Sequence, residues 1–203
     1  PYKMYALDEV LGAHAGGRVI VFCDVMRAAE ILHSTHPGSL LMTGRDGPDA
    51  RDATLTAFGA AASAVLVCTR ICDASINFPP GCTIVQYHVS TASRQQEVQR
   101  CGRGTRDVSH AVAHMYHLVN DCGEEARYVE RRVEHLHTFM DSDTLTVVRS
   151  RTPSDVRLSE THLNAREATF TVVLPRRRTT TPRTPSVQTR VAKIMRRVKR
   201  YGQ

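Results

Sequence analysis

Short, apolar, β-branched runs alternate with stretches of helical periodicity between residues 15 and 140. The runs have the length of strands buried on both faces, and the intervening stretches have the period of amphipathic helices. Five strands are predicted, over Arg18–Cys23, Ser39–Thr43, Ala64–Thr69 and Thr83–His88 and near Ala111–Val119. Strands that alternate with helices form a mostly parallel sheet covered on both faces, with right-handed crossovers. The sequence therefore predicts an α/β fold.

The helices between these strands are predicted from their apolar spacing and start signals. They lie near Tyr2–His14, from Asp24 to about His33, from Asp49 to about Phe58, from about Ser93 to Gly102, and over Glu124–Thr138. We expect Asp24 to cap the second helix, because a carboxylate there can accept a hydrogen bond from the first turn. Its apolar face is predicted to consist of Val25, Ala28, Ala29 and Leu32.

The alternation weakens after Asp141. Thr144–Arg149 and Thr169–Leu174 are predicted strands, which form either a late pairing with the sheet or an appended β element. We therefore divide the chain into an α/β domain over 1–150, an appended β or irregular segment over 151–175, and a basic tail over 176–203. Because the chain begins at Pro1 rather than at a methionine, we expect it to be part of a longer protein.

The positive charge is concentrated at the carboxyl end. The chain has a net charge of +7, yet residues 176–203 hold ten basic residues and no acidic one, so residues 1–175 are mildly acidic. Gln188–Arg200 is predicted to be a helix with an apolar stripe of Val191, Ile194, Met195 and Val198. Its basic face consists of Arg190, Lys193, Arg196, Arg197, Lys199 and Arg200. Such a tail suits a phosphate backbone or an acidic protein surface, and a solvated, disordered terminus is the alternative.

Several classes of protein and site are disfavoured. No apolar run approaches the ~20 residues that cross a bilayer, so no membrane span is expected. The six cysteines include no CxxC pair, which indicates reduced thiols, and Cys68 and Cys72 are interpreted as buried thiols. His110, His114 and His117 lie on a predicted strand with no nearby cysteine pair, so no metal is expected there.

Arginines stand out between Gln99 and Arg106. Arg100, Arg103 and Arg106 follow one another at three-residue spacing near a predicted helix end, with Gly102 and Gly104 between them. The planar, permanently charged guanidinium is well suited to bind phosphate, and two of these side chains could reach one anion together. A solvated basic helix end is the alternative interpretation.

This segment has the form QRxGRxxR and is preceded by Cys68-Thr69-Arg70 and Asn77-Phe78-Pro79. Together they resemble motifs V and VI of superfamily 2 helicases, in the second of two RecA-like lobes. More narrowly, SRQQEVQRCGR over residues 93–103 resembles the XPB-type helicases. RVIVFCD, the loop from Thr43-Gly44 to Arg51, and Met115-Tyr116-His117-Leu118-Val119 match further motifs of that family, so the resemblance covers about residues 1–150.

The resemblance implies the C-terminal, RecA-like motor lobe of an ATP-dependent 3′→5′ DNA helicase or translocase. It implies roles in nucleotide excision repair and transcription initiation in the nucleus. The implied partners are DNA, the N-terminal helicase lobe and TFIIH-like subunits, and ATP and Mg²⁺ would be bound mainly by that first lobe. Arg103 and Arg106 correspond to arginine fingers. The nucleotide cleft would include Gln99, Arg100, Gly102, Asp73 and Asn77. The DNA contacts would include Thr43, Gly44, Arg51, Thr69 and Arg70 together with the six basic residues of the tail helix.

The sequence departs from the family pattern in motif V and in the loop after the second strand. Cys72 replaces a glycine, Asn77 replaces an aspartate, and Asp46-Gly47 replaces a Thr-Ser pair. The sequence contains no GxxxxGK[ST] and no DExH, so the chain alone is expected to hydrolyse nothing. The departures favour an alternative, a catalytically silent RecA-like scaffold that binds partner proteins or DNA through the tail. The arginine pair and Gln99 oppose it, and the missing phosphate loop disfavours a self-contained nucleotide-binding protein.

Overall fold

A computed structural model describes residues 2–73, 76–88, 99–100, 114–119, 145–150 and 169–175. The strands are β1 (Arg18–Cys23), β2 (Leu40–Met42), β3 (Ala64–Cys68), β4 (Thr83–His88), β5 (His114–Leu118), β6 (Leu145–Ser150) and β7 (Thr169–Pro175). The helices are α1 (Tyr2–Ala13), α2 (Met26–Thr35) and α3 (Pro48–Ala60), and a 3-10 turn spans Arg70–Asp73. The predicted helix Glu124–Thr138, most of Ser93–Gly102 and the basic tail lie outside the described residues.

The described strands form one parallel sheet in the order β2-β3-β1-β4-β5-β7-β6. The predicted α/β class is confirmed, and β1 and β4 begin and end where the sequence places them. β1 lies between β3 and β4, so Ile20 pairs with both Leu66 and Ile84. This central position, with helices on both faces, explains why RVIVFC is a continuous apolar run rather than an alternating one.

Alternate residues of the central strands pack into two cores, one on each face of the sheet. One core packs against Phe58 of α3 and includes Ile20, Phe22, Leu66, Ile84 and Met115. The other packs against α1 and α2 and includes Leu7, Val10, Leu32, Val19, Val21, Val85 and Tyr116. Successive side chains of a strand point to opposite faces, so each central strand contributes apolar residues to both cores. Helices cover both cores, as expected for this class of fold.

The predicted start of α2 is wrong. The helix begins at Met26, its N-cap residue is Val25, and no side chain caps it. Val25 is also 39% exposed rather than part of the apolar face, whereas Ala29 and Leu32 are buried as predicted. Asp24 does not cap the helix because its carboxylate accepts a hydrogen bond from Arg100 instead.

Small differences at β2 and α3 also have local causes. β2 ends at Met42 because the Thr43 N–H donates to Asp46 Oδ2 at 2.6 Å and leaves the strand ladder. α3 begins at Pro48, one residue before the prediction. Proline has no N–H, but the first residue of a helix needs none, so proline is favoured there. At the other end of α3, Arg18 donates to the carbonyls of Ala61 and Gly59, which ties the start of β1 to a helix C-terminus.

The two late strands extend the same sheet. β7 pairs in parallel with β5, with Met115 opposite Phe170, and β6 pairs on the outer side of β7. Of the two alternatives left open by the sequence, the structure therefore shows a late pairing with the sheet. None of the helices within the described ranges is long and apolar enough to cross a membrane.

Candidate functional site

The carboxyl ends of the parallel strands meet at one edge of the sheet, where α/β proteins bind their ligands. Asp24 follows β1, Thr43 and Gly44 follow β2, and Thr69 and Arg70 follow β3. Most of the site residues predicted from the sequence that the structure describes lie on these loops. The fold therefore brings residues that are far apart in sequence to a single edge.

Arg100 is the centre of this edge, and its side chain is fully buried. Its Nε donates to Asp73 Oδ1 at 2.7 Å, and its Nη2 donates to Asp73 Oδ2 at 3.0 Å. Nη2 also donates to Asp24 Oδ1 at 2.7 Å, and Nη1 donates to Gln86 Oε1 at 3.1 Å. The guanidinium carbon lies 4.5 Å from the centre of the Phe22 ring. The side chain is thus surrounded by protein acceptors and one aromatic face.

Electrostatics explain how this cation tolerates burial. Burial alone would lower the pKa of Arg100, but hydrogen bonding and charge from Asp73, followed by Asp24, raise that pKa instead. A buried charge is tolerated only when it is paired and hydrogen-bonded, and here two carboxylates meet one guanidinium. The arrangement fixes the helical residues Gln99–Arg100 against the ends of β1 and β4 and against the 3-10 turn.

The other predicted nucleotide-cleft residues differ in exposure. Gln99 is exposed beside the buried Arg100, and Asn77 is exposed as well. Asp73 holds Arg100 with both carboxylate oxygens, and its side chain is 14% exposed. Gly102, Arg103 and Arg106 lie outside the described residues.

The predicted DNA-contact residues of the two neighbouring loops lie close together. The Thr69 N–H donates to the Met42 carbonyl, which joins the ends of β2 and β3. Thr69 is buried, whereas the Arg70 side chain is 51% exposed and its Nη2 lies 3.6 Å from Asp24 Oδ2. Arg51 Nη2 donates to the Gly44 carbonyl at 3.5 Å. Arg51, in the first turn of α3, and Arg70, in the 3-10 turn after β3, carry guanidinium groups near this edge. The tail residues 190–200 lie outside the described part of the chain.

Sequence reasoning missed three partners of Arg100. The sequence pattern predicts a helix-capping role for Asp24 and no site role for Gln86 or Phe22. A polar side chain inside the buried strand TIVQYH was an available signal for Gln86, which is fully buried. Asp24 and Arg100 are separated by 76 residues, so no local pattern could have joined them.

The four cysteines within the described residues have the properties of unreactive, buried thiols. Cys23, Cys68, Cys72 and Cys82 are free and buried, which confirms the interpretation of Cys68 and Cys72 as buried thiols. Burial raises the pKa of Cys23 and of Cys82 to about 11, and it raises that of Cys68 as well. Thiols of high pKa are poor nucleophiles. Among the residues that the structure describes, no cluster of three or more histidines, cysteines or carboxylates could hold a metal ion.

A second polar cluster lies where α1 meets the sheet. His14 Nε2 lies 2.8 Å from the Tyr116 hydroxyl, and His14 Nδ1 lies 3.2 Å from Thr83 Oγ1. The ring centres of His14 and His114 are 4.9 Å apart. Burial, and then the proximity of His114, lower the pKa of His14 to about 4, and burial also lowers that of His114.

A parallel sheet with helices on both faces occurs in many α/β folds, and the likeness to solved structures identifies this one as the RecA-like fold of a helicase C-terminal domain. The structure resembles the C-terminal domain of the DEAD-box protein Dbp5, with a TM-score of 0.56 and 19% identity, covering 68% of this chain and 80% of that domain. It also resembles S. cerevisiae Dbp5 bound to RNA and ADP BeF3, with a TM-score of 0.58 and 18% identity, covering 97% of this chain and 42% of that one. At these identities the likeness shows the fold alone.

Residues 2–107, just over half of the chain, match the helicase conserved C-terminal domain, and the chain belongs to that family. It is similar to the general transcription and DNA repair factor IIH helicase/translocase subunit XPB of Antonospora locustae, with 28% identity over 86% of this chain and 26% of that protein. It is also similar to the TFIIH helicase/translocase XPB subunit of Trypanosoma brucei brucei, with 26% identity over 65% of this chain and 15% of that protein. The predicted XPB-like C-terminal lobe is confirmed. The chain spans about a quarter or less of the length of these relatives.

Proposed function

We propose that this chain is the C-terminal motor lobe of an ATP-dependent 3′→5′ DNA helicase or translocase of XPB type. Its work would be nucleotide excision repair and transcription initiation in the nucleus, with TFIIH-like subunits as partners. The observation that carries the proposal is the anchoring of Arg100 to Asp73 and Asp24 at the carboxyl edge of the sheet. These contacts fix the position of Arg100, and they support the proposal because Arg103 and Arg106 follow Arg100 closely in the sequence.

In this proposal Arg103 and Arg106 are arginine fingers that face the γ-phosphate of ATP across an interlobe cleft. The chain contains neither a phosphate loop nor a DExH tetrad, so the first lobe would supply the phosphate cradle and the Mg²⁺ ligands. The two fingers would stabilise the negative charge that develops during phosphoryl transfer, and Mg²⁺ held by the first lobe would supply further positive charge. In this proposal the chain supplies one half of the ATP site, and the first lobe supplies the other half.

The loops after β2 and β3 would form part of the DNA track. Arg70 after β3 and Arg51 in the first turn of α3 would supply positive charge, and the hydroxyl groups of Thr43 and Thr69 and the backbone of Gly44 would supply donors. Contacts of this kind bind the phosphate backbone and carry no sequence information. The six basic residues of the tail helix, Arg190 to Arg200, would extend the same electrostatic attraction.

The test is the DNA-stimulated ATPase of this chain joined to its ATP-binding lobe. Arg103→Ala or Arg106→Ala should lower turnover about 10³-fold or more while ATP still binds, since an arginine finger contributes about that much. Lysine should rescue only in part because a point charge does not replace the planar fork. Arg27→Ala is the matched control, because Arg27 is 81% exposed on α2 and pairs only loosely with Glu30.

A catalytically silent scaffold is the second candidate, and one observation favours it. The Thr43 N–H, on the loop where the family pattern has a Thr-Ser pair, donates to the Asp46 carboxylate at 2.6 Å. An acidic side chain at this position repels a DNA phosphate and occupies a donor that could bind it. Near-normal ATP turnover after either arginine-finger substitution would contradict the motor proposal and favour the scaffold.

A further inference from the structure

The Asp24 carboxylate lies between two arginines that belong to different parts of the proposed site. Its Oδ1 accepts from Arg100 Nη2 at 2.7 Å, while its Oδ2 lies 3.6 Å from Arg70 Nη2. The side chains of Asp24 and Arg100 are fully buried, whereas half of the Arg70 side chain is exposed. One buried carboxylate is therefore shared between an interior cation and a surface cation.

The two halves of this arrangement differ in strength. The 2.7 Å contact to Arg100 is a short, charge-assisted hydrogen bond inside the protein, where charges are poorly screened. The ion pair between Asp24 and Arg70 is weaker, because its 3.6 Å separation is longer than a hydrogen bond and the Arg70 side chain is half exposed to water. If the arrangement changes, Arg70 is therefore the side chain that exchanges Asp24 for another anion.

The backbone around Asp24 holds the carboxylate in place during such an exchange. The Asp24 N–H donates to the His88 carbonyl at the end of β4, at 3.3 Å. The Arg100 guanidinium has two further partners. Both carboxylate oxygens of Asp73 accept hydrogen bonds from it, and Gln86 Oε1 accepts one from Nη1. The Arg70 end of these contacts is the most open to solvent, since the Arg70 side chain is 51% exposed and that of Asp73 is 14% exposed.

We propose that Asp24 is a positioning residue that restrains Arg70 and links nucleic-acid binding to Arg100. A DNA phosphate that binds Arg70 competes with Asp24 for it, and the Asp24 carboxylate then keeps its hydrogen bond to Arg100 without the Arg70 ion pair. The inference rests on the proposed DNA-binding role of Arg70. Because coupling between two sites is reciprocal, the state of Arg100 should in turn alter the affinity of Arg70 for phosphate.

The first test measures the affinity of this chain for a short fluorescent DNA duplex. Asp24→Asn removes the competing charge, so affinity should rise about two- to fivefold, the range of an exposed ion pair. Arg70→Gln should lower affinity, and the double variant should match Arg70→Gln, because the gain acts through Arg70. Asp8→Asn is the matched control, since it removes the same charge at a residue that contacts His36, just after α2.

A merely structural role for Asp24 predicts the opposite result. Loss of a buried partner of Arg100 would then leave DNA affinity unchanged or reduce it, and either outcome would overturn the inference. A gain of equal size in Asp8→Asn would overturn it as well, because net charge alone would then account for the effect. If the wild-type chain binds no duplex at all, the proposed DNA track fails together with the inference. Wild-type binding without a gain in Asp24→Asn overturns the inference alone.

A second measurement does not depend on the folding of Asp24→Asn. The Nε–H resonance of Arg100 should shift in the wild-type chain when duplex DNA is added, although DNA cannot reach this buried group. The shift should disappear in Arg70→Gln at saturating DNA. The Arg18 Nε–H donates to the Ala61 carbonyl at the opposite, amino end of β1. Its resonance is the internal control and should not move. An unchanged Arg100 resonance in saturated wild type would contradict the proposal.

Discussion

Arg100 shows how much a single residue contributes at this site. It is the largest fully buried side chain within the described residues, and it is charged. Two carboxylates, one amide oxygen and an aromatic ring surround it, so its burial joins four segments of the chain. Replacing Arg100 affects stability because it leaves the Asp24 and Asp73 carboxylates without their counter-charge.

Arg100→Gln should therefore destabilise the chain strongly. The substitution leaves the Asp24 and Asp73 carboxylates buried without their main counter-charge, and breaking a buried pair costs about 3–5 kcal/mol. We expect a loss of about 3 kcal/mol in the free energy of unfolding, measured by urea denaturation, because Asp73 retains some contact with water. Arg27→Gln on the exposed face of α2 should change it by less than about 0.5 kcal/mol. A loss below about 1 kcal/mol for Arg100→Gln would contradict this account.

At the scale of elements, α1 is attached to the sheet by polar side chains at both of its ends. His14 follows α1 directly and contacts Thr83 of β4 and Tyr116 of β5. Lys3 at the start of α1 is buried and donates to the Tyr87 carbonyl at the opposite end of β4. The helix is thus fixed at both ends, by a cation at one and by a histidine cluster at the other.

This cluster predicts a pH dependence of stability. Burial and then His114 lower the pKa of His14 from 6.5 to about 4, so the unfolded chain binds this proton more readily than the folded chain. The stabilisation is complete above pH ~6.5 and is lost as the pH falls toward 4. We expect the free energy of unfolding to fall by about 1–2 kcal/mol between pH 7 and pH 5, a value reduced for solvent screening.

Urea denaturation as a function of pH checks this expectation. His14→Gln retains a hydrogen-bonding side chain but does not titrate, so its stability should vary less over this pH range. His33→Gln, which removes a histidine on α2, should keep the wild-type pH dependence. Equal slopes for wild type and His14→Gln would show that the cluster does not cause the loss at low pH.

At the scale of the whole molecule, the charge distribution separates a mildly acidic domain from a basic tail. Ten basic residues and no acidic one lie in 176–203, whereas residues 1–175 carry 17 basic against 20 acidic residues. If DNA is a partner, the tail adds an attraction to phosphate that is independent of sequence. The carboxyl-edge loops and the tail would then share one ligand.

Deletion of residues 176–203 should weaken DNA binding with little change in sequence preference. The salt dependence of the affinity should flatten by ~0.9 log unit per log salt for each lost phosphate contact with duplex DNA. A full-length variant with glutamine at the six basic positions of the predicted tail helix is the control, because it keeps the length and loses the charge. Unchanged affinity and salt slope would remove DNA as the target of the tail and favour a protein partner.

The sequence by itself determined the elements and the class of this protein. Continuous apolar runs specify buried parallel strands, so β1 and β4 could be predicted to the residue, and the alternation specified the α/β fold. The spacing of QRxGRxxR indicated the helicase family, which the match over residues 2–107 confirms. These are properties of neighbouring residues, and local sequence carries them.

Only the tertiary structure decided which distant residues meet. Strand order is a matter of long-range pairing, so the sequence left open that β7 would insert between β5 and β6. The sequence likewise left the partner of Asp24 open. A carboxylate can accept a hydrogen bond either from the first turn of a helix or from an arginine. The sheet settles the choice by bringing the end of β1 next to Arg100, where an unpaired buried guanidinium would cost more free energy than an uncapped helix.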